Sequence, residues 1–227
     1  MIFSNVKSIT IPEGVVKKIE AGNKVLWSGG GLPSAYQQVE YIAAAAGVQA
    51  YFDLKIAFDT AAKVRMTYYH AGQNQIFGAA ENSGKLRCMI SCTPTNVSFY
   101  GSNGSAYIDT SVAATQNAYN TVELTLKAGS LLSADLTSGN SKELKTQAAY
   151  TMTSNLYLFA QMYNGSARIN GVRQITEFKY WDKNDELICD LVPCYRKSDS
   201  VIGMYDLVRN IFFTSEGTGA FTKGANV

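Results

Sequence analysis

The residues of this sequence best suited to contact a sugar lie in two short clusters. The stretch YYHAGQNQ at 68–75 offers aromatic rings, an imidazole and side-chain amides, and QMYNGSARING at 161–171 offers a similar mixture. Aromatic rings can stack on sugar faces while amides hydrogen-bond hydroxyl groups. The six residues predicted to form a ligand site are Tyr69, His70, Asn74, Gln161, Tyr163 and Asn164. The alternative is that these aromatic side chains pack in the core or at the edge of a β-sheet.

The sequence offers few groups for catalysis. A serine or cysteine nucleophile needs a base within hydrogen-bond reach, and His70 is the only histidine. A retaining glycoside hydrolase needs two carboxylates about 5 Å apart, which the cluster WDKNDELICD could supply. Asp182 and Asp185, however, flank a pair of residues typical of a hairpin turn, and their oxygens could also bind Ca²⁺. We therefore predict a protein that is not an enzyme and needs no cofactor or metal. A hydrolase or lyase, and a calcium site, are the alternatives.

The four cysteines are predicted to be buried thiols. Cys88 and Cys92 lie four residues apart in KLRCMISC, which is roughly 13 Å along a strand and too far for a disulfide. The sequence has no Cys-x-x-Cys pair of the kind that binds zinc. A bend at Pro193 could bring Cys189 and Cys194 together, and this alternative stays open.

Alternation of apolar and polar residues indicates the elements that must position these groups. Such alternation marks antiparallel strands with one face in water. Clusters of turn residues separate the alternating segments, as in a sandwich or jelly roll. The sequence therefore predicts an all-β, two-sheet antiparallel jelly-roll sandwich. The residues predicted to face its interior from four of these segments are Ala62, Val64, Met66, Tyr68, Val122, Leu124, Leu126, Ala128, Leu132, Ala134, Leu136, Leu156, Leu158, Ala160 and Met162.

A run of glycines divides the chain into two unequal parts. Residues 1–28 are predicted to form a small β appendage with two strands around Gly22-Asn23, a favoured turn pair. So short a sheet cannot bury enough surface to be stable alone. We therefore predict an attachment or assembly segment at 1–28, a glycine linker at 29–31 and the β-sandwich at 32–227.

Charge and hydropathy argue against two classes of partner. The chain has 20 basic and 18 acidic residues, so nothing favours capture of nucleic acid. No apolar run reaches the roughly 18 residues of a membrane helix, and the first residues lack the pattern of a secretory signal. We predict no nucleic-acid binding, no membrane insertion and folding in a cytoplasm.

The two ends of the predicted sandwich resemble a known family. LPSAYQQVEYI at 32–42 resembles the opening phrase of concanavalin-like (LamG-like) jelly-roll domains found in bacteriophage virion proteins and gut-bacterial surface proteins. The closing phrases VPC, GMYD, NIFFT and GTGAF are similar to the ending of that family. The resemblance covers 32–227, although AAAAGVQAYFDL departs from the family's usual Ser-Thr-Gly-Thr-Gln-Tyr-Ile-Asp-Thr. The matching positions are Leu32, Pro33, Tyr36, Val39, Glu40, Tyr41, Ile42, Val192, Pro193, Cys194, Gly203, Tyr205, Asp206, Asn210, Phe212, Thr214, Gly217, Thr218, Gly219 and Phe221.

The resemblance implies a component of a bacteriophage virion. It would be anchored to other virion proteins through residues 1–28, would form a homo-oligomer and would present its sandwich to a host-surface glycan, with repeated copies providing avidity. A tail fibre or receptor-binding protein is the first interpretation, and a capsid decoration or head-fibre protein is the alternative. A bacterial surface adhesion module is a third interpretation, which the lack of a signal peptide disfavours.

The family residues themselves are expected to be structural. Tyr205 and Phe212 would be core aromatic residues, and Gly217 and Gly219 would permit turns with positive φ.

Overall fold

The computed structural model describes residues 19–21, 24–27, 31–45, 48–72, 74–168 and 173–227. All regular structure in these ranges is β. The same ranges contain no helix that is long and apolar enough to span a bilayer. The strands in these ranges are β1 (Ile19–Ala21), β2 (Lys24–Trp27), β3 (Tyr36–Gln38), β4 (Ile42–Ala44), β5 (Phe52–Asp59), β6 (Ala62–Tyr69), β7 (Asn74–Glu81), β8 (Leu86–Cys92), β9 (Asn96–Ser102), β10 (Tyr107–Ala113), β11 (Tyr119–Lys127), β12 (Ser130–Asp135), β13 (Asn140–Leu144), β14 (Thr151–Leu158), β15 (Gln161–Tyr163), β16 (Ser166–Arg168), β17 (Arg173–Trp181), β18 (Leu187–Arg196), β19 (Ile202–Asp206), β20 (Ile211–Phe213) and β21 (Thr222–Lys223).

Two sheets form a sandwich, which confirms the predicted fold class. The first sheet has the order β10-β9-β8-β7-β14-β5, and the β15–β16 hairpin joins it along β7. The second has the order β13-β12-β11-β6-β17-β18-β19-β20, with β3, β4 and β21 attached. Neighbouring strands in these orders are antiparallel, whereas β15 runs parallel to β7. β1 and β2 pair as a separate antiparallel hairpin. Its predicted turn at Gly22-Asn23, and most of the predicted 1–28 segment and 29–31 linker, lie outside the described residues.

The core lies between the sheets because the alternating residues bury one face of each strand. In β6 the side chains from Ala62 to Tyr68 are buried at every second position, as predicted. Phe77 of the first sheet and Phe178 of the second meet with ring centroids 5.2 Å apart. Phe52 stacks on Phe221 at 4.5 Å. Each buried side chain of this size contributes about 1.5–3 kcal/mol relative to an exposed one, so these contacts fix the two sheets face to face.

The predicted inward face of β12 is wrong. Leu131 is fully buried, whereas Leu132 and Leu136 are exposed and Ala134 is half-buried. The turn at Gly129, with φ of +80°, pairs Leu126 with Leu131. Residues opposite each other in a ladder share a face, so Leu131 points inward, and Ser133 and Asp135 follow it on the same face although their side chains are polar. Ala128, also predicted to be inward, lies exposed in the turn that follows β11.

The four cysteines are buried and free, as predicted. The alternative disulfide between Cys189 and Cys194 is wrong. Pro193 does not bend the chain there because it lies inside β18, opposite Met204 of β19.

The opening and closing phrases of the sandwich pack against each other. The ring of Tyr36 lies 4.9 Å from the rings of both Tyr205 and Phe212. Cys194 pairs with Gln38 across β18 and β3. Tyr205 is buried as expected, while Phe212 is half-buried. Residues of the two phrases, among them Tyr36, Tyr205 and Phe212, therefore pack together and have a structural role.

The expectation of positive φ at Gly217 and Gly219 is wrong. Neither glycine has a positive φ. A Cβ at Gly217 would lie 1.8 Å from the carbonyl oxygen of Gln49, and one at Gly219 would lie 2.1 Å from Cγ1 of Val48. These glycines are needed because the neighbouring chain approaches their backbone closely.

Candidate functional site

A pocket of about 500 Å³ lies on the outer face of the first sheet, between β7–β9 and the β15–β16 hairpin. The residues on which its chemistry depends are polar, aromatic or cationic. They are Gln75, Arg87, Tyr100, Gln161, Tyr163 and Arg168.

Strand alternation turns three of these side chains outward. Cys88 and Ile90 of β8 point into the core, so Arg87 points to the opposite face. Phe99 is likewise buried in β9, which places its neighbour Tyr100 on the outer face. A bulge in β7 after Gln75 lets Ile76 and Phe77 both enter the core. Gln75, which precedes Ile76, therefore points to the outer face. The first sheet therefore supplies a mixed polar floor.

The β15–β16 hairpin supplies the wall of the pocket. Its turn is Asn164-Gly165, with φ values of +46° and +82°, and the Asn164 N–H donates to the carbonyl oxygen of Ala80 at 3.1 Å. Arg168 of β16 lies opposite Gln161 of β15, and Tyr163 lies two residues after Gln161 on β15. Gln161, Tyr163 and Arg168 therefore share one face of the hairpin, and all three line the pocket.

Both arginines rest on tyrosine rings. The guanidinium carbon of Arg168 is 3.5 Å from the ring centroid of Tyr163, and that of Arg87 is 3.8 Å from the ring centroid of Tyr107. The Arg87 Nε–H also donates to the carbonyl oxygen of Gly84 at 2.8 Å. Stacking of this kind is a favourable cation–π contact and holds both cations at the pocket.

Gly84 lets the floor and the wall approach each other. It has φ of +80° in the turn between β7 and β8. A Cβ at this position would lie 3.1 Å from Nη2 of Arg87 and 3.1 Å from Oη of Tyr163. Arg87 and Tyr163 therefore converge over a turn that only a residue without a side chain accommodates well.

The pocket also contains an unused hydrogen-bond acceptor. The Oε1 atom of Gln75 is inaccessible to solvent and has no hydrogen-bond partner among the described residues. A buried polar atom without a partner carries a desolvation cost of about 1–3 kcal/mol. The Gln75 side chain would have to reorient before this atom could accept a hydrogen bond from a ligand.

The structure brings only part of the predicted site to this pocket. Gln161 and Tyr163 line it. Asn164 is exposed in the hairpin turn, and Asn74 begins β7 opposite Cys92, which also lines the pocket. Gln73 and the side chain of Asn74 lie outside the described part of the chain.

The other two predicted residues lie elsewhere. Tyr69 is on the outer face of the second sheet, as its alternation with Tyr68 predicts, and its ring is 5.4 Å from that of Tyr119. His70 is fully buried, with Nδ1 2.9 Å from Oη of Tyr68 and Nε2 3.3 Å from the carbonyl oxygen of Pro94. Its ring is enclosed in the interior, so it does not reach a ligand in this arrangement.

Four of the six polar, aromatic or cationic pocket residues were not among those selected from the sequence, namely Gln75, Arg87, Tyr100 and Arg168. A signal for Arg87 was present, because Cys88 and Ile90 facing inward require Arg87 to face outward. Arg168 could not be found in this way, since its position depends on the parallel pairing of a three-residue strand with β7.

The acidic cluster near Asp182 serves the turn between β17 and β18, as predicted. The Asp182 carboxylate accepts the backbone N–H groups of Asn184 and Glu186, both at 2.9 Å. Asp185 forms an ion pair with Lys63 at 3.0 Å. Across the described ranges, no three His, Cys, Asp or Glu side chains form a metal-binding group.

Comparison with known proteins identifies the fold and nothing finer. No protein-family model and no curated protein matches the sequence. A heptameric SAP-like pentraxin from Limulus polyphemus superposes with a TM-score of 0.52 and 8% identity, over 82% of this chain and 96% of that chain. A Bacteroides ovatus protein, named as a candidate carbohydrate binding protein, gives 0.52 and 11%, over 84% and 62%.

The fold is that of the concanavalin/LamG-like jelly rolls. Domains LG4-5 of the mouse laminin α1 chain align with 89% of this chain at a TM-score of 0.48 and 9% identity. The chain spans 50% of that laminin fragment and 62% of the Bacteroides protein. The similarity to the pentraxin and the Bacteroides protein, at 8% and 11% identity, shows the fold alone.

Proposed function

We propose that this protein is a glycan-binding jelly roll of a bacteriophage virion, and that glycan binds in the pocket between β7–β9 and the β15–β16 hairpin. The observation that carries the proposal is the composition of the pocket. Tyrosine rings, side-chain amides and guanidinium groups converge there on one concave site. These groups stack on sugar rings and hydrogen-bond hydroxyls. The concanavalin/LamG-like fold is consistent with this role.

The same pocket favours binding over hydrolysis. None of its lining residues is an aspartate or glutamate, whereas hydrolysis by the common mechanism needs two such groups. Asp182 and Asp185 are engaged in their turn and in an ion pair. A hydrolase or lyase remains the alternative, and appearance of new reducing or unsaturated sugar ends on incubation with polysaccharides would support it.

A glycan array with two tyrosine variants tests the proposed site. Tyr163→Ala removes a ring from the pocket, so the affinity for any bound glycan should fall about tenfold or more. Tyr69→Ala removes an equal ring from the second sheet and should leave binding unchanged. Equal binding by wild type and Tyr163→Ala, or loss only with Tyr69→Ala, would contradict the assignment.

The virion role is supported by the phrases at 32–42 and 192–221 that resemble phage jelly-roll domains. We place the attachment to other virion proteins in residues 1–28, with a tail fibre or receptor-binding protein as first choice and a capsid decoration protein as second. Particles should fail to incorporate a variant that lacks residues 1–28. Normal incorporation would refute this attachment, while antibody labelling of the intact particle would distinguish tail from capsid.

A further inference from the structure

The pocket carries two positive charges that no acidic side chain of the described residues balances. Neither Arg87 nor Arg168 forms an ion pair within that part of the chain, and no carboxylate lines the pocket. A guanidinium group stays charged at any physiological pH. An anionic ligand group would therefore gain from both residues.

The acidic residues nearest in register do not neutralise these charges. Asp109 lies opposite Tyr100 on β10 and is exposed. Glu81, at the end of β7, accepts hydrogen bonds from Thr153 and Ser154. Both carboxylates lie outside the pocket lining.

Both guanidinium groups lie in the neighbourhood of Tyr163. Arg168 stacks on its ring at 3.5 Å, and Nη2 of Arg87 and Oη of Tyr163 each lie 3.1 Å from the position that a Cβ of Gly84 would take. A guanidinium stacked through its flat face keeps in-plane N–H groups that match the paired oxygens of a carboxylate or sulfate. A sugar ring against Tyr163 would thus lie in the same pocket as both cations.

The neutral polar residues fit the remainder of such a sugar. Gln161 lies on the same face of the hairpin as Tyr163 and Arg168, and Gln75 lines the same pocket. The side-chain amides of these residues are the groups that can exchange hydrogen bonds with sugar hydroxyls.

We propose that the pocket selects an acidic sugar, with a carboxylate or sulfate group held between Arg87 and Arg168. This inference rests on the proposed glycan site and specifies its substrate class. Neutral glycans of the same backbone would lack the charge-assisted hydrogen bonds that the arginines provide.

The experiment compares matched neutral, uronic-acid and sulfated oligosaccharides on the full chain. Wild type should bind at least one acidic form about tenfold more tightly than its neutral counterpart. Arg168→Gln should abolish that preference, and Arg168→Lys should retain part of it. Arg65→Gln is the matched control, since it removes the same charge from the opposite sheet, where Arg65 pairs with Glu123 at 2.8 Å. The uronic and sulfated arms identify which anion is preferred.

A second measurement keeps the two proposals separable. Glucuronate and inorganic sulfate, at ionic strength matched with NaCl, should shift the backbone amide signals of residues 84–87 and 163–168 in wild type and not in Arg168→Gln. If neutral and acidic sugars bind equally and Arg168→Gln has no effect, the anion site is wrong while the glycan site stands. If the anions cause these shifts but no oligosaccharide binds, the anion site stands and the glycan function fails. Absence of both responses overturns both.

Discussion

At the scale of single residues, Asp206 shows why part of the closing phrase is structural. Its buried carboxylate accepts the backbone N–H groups of Asp190 and Val208 at 3.1 and 2.9 Å and pairs with Arg209 at 2.5 Å. Arg209 also donates to the carbonyl oxygen of Leu54 at 2.8 Å. Since Leu54 belongs to the first sheet and Asp206 to the second, this pair ties the two sheets together.

Substitution of Asp206 should therefore destabilise the sandwich. Asp206→Ala leaves Arg209 without its partner and several N–H groups without an acceptor, so the free energy of unfolding should fall by about 3–5 kcal/mol. Asp199→Ala is the matched control. It breaks an Arg–Asp pair of the same three-residue spacing, with Arg196, that is exposed, and should change stability little. Chemical denaturation of both variants measures the difference, and similar losses would contradict this account.

At the scale of elements, β12 shows what alternation can and cannot predict. In β6 and β11 the apolar residues alternate without interruption, so their inward faces follow from the sequence. In β12 two leucines are adjacent, and the pattern alone does not decide which one faces inward. The glycine turn decides it by pairing Leu126 with Leu131.

This register gives a paired test. Leu131→Ala removes a fully buried side chain and should lower the free energy of unfolding by about 2–5 kcal/mol. Leu132→Ala removes a side chain that is 36% exposed and should cost much less. Thermal or urea unfolding of the two variants compares them directly. A larger loss for Leu132→Ala would mean that the strand is shifted by one residue.

The candidate site, like β12, could be predicted from the sequence only in part. Tyr163 and Gln161 could be selected because the sequence around them is polar and aromatic. Their meeting with Arg87 depends on which strands become neighbours, namely β15 beside β7 and β7 beside β8. That order is a property of the topology, which local patterns do not contain. His70 was selected by residue type, and its burial beside Tyr68 follows from packing between the sheets.

At the scale of the whole molecule, the buried thiols report on the integrity of the sandwich. Burial raises the pKa of the Cys88 and Cys189 thiols, and it raises that of Cys194 to about 12. Because these pKa values are higher in the folded than in the unfolded chain, the thiols of the folded state stay protonated up to a higher pH. Stability from this source is complete below the unfolded thiol pKa of about 8.5 and declines as the pH rises above it.

The thiols of Cys88, Cys189 and Cys194 should consequently be inert while the protein is folded. The thiolate is the reactive form, so an aromatic disulfide reagent at pH 8 should label these three residues of the native protein only at the rate of unfolding, whereas Cys92 lines the pocket. In concentrated guanidinium chloride all four cysteines should react at once. Rapid labelling of Cys88, Cys189 or Cys194 in the native protein at pH 8, located by peptide mapping, would show that the two sheets open more readily than this packing allows.

The last residues of the chain lie against the start of the sandwich. Val227 donates to the carbonyl oxygen of Gln38 at 3.1 Å, and Glu40 donates to that of Ala225 at 2.9 Å. The two segments run antiparallel around the bridge between Val39 and Asn226. Mechanical tension applied between Gly31 and Val227 would thus open these bonds one after another, as in a zipper. The pairing of β3 with β18 lies between Gly31 and Gln38 and would bear the same load, so the chain should yield at these two places before the central strands of either sheet separate.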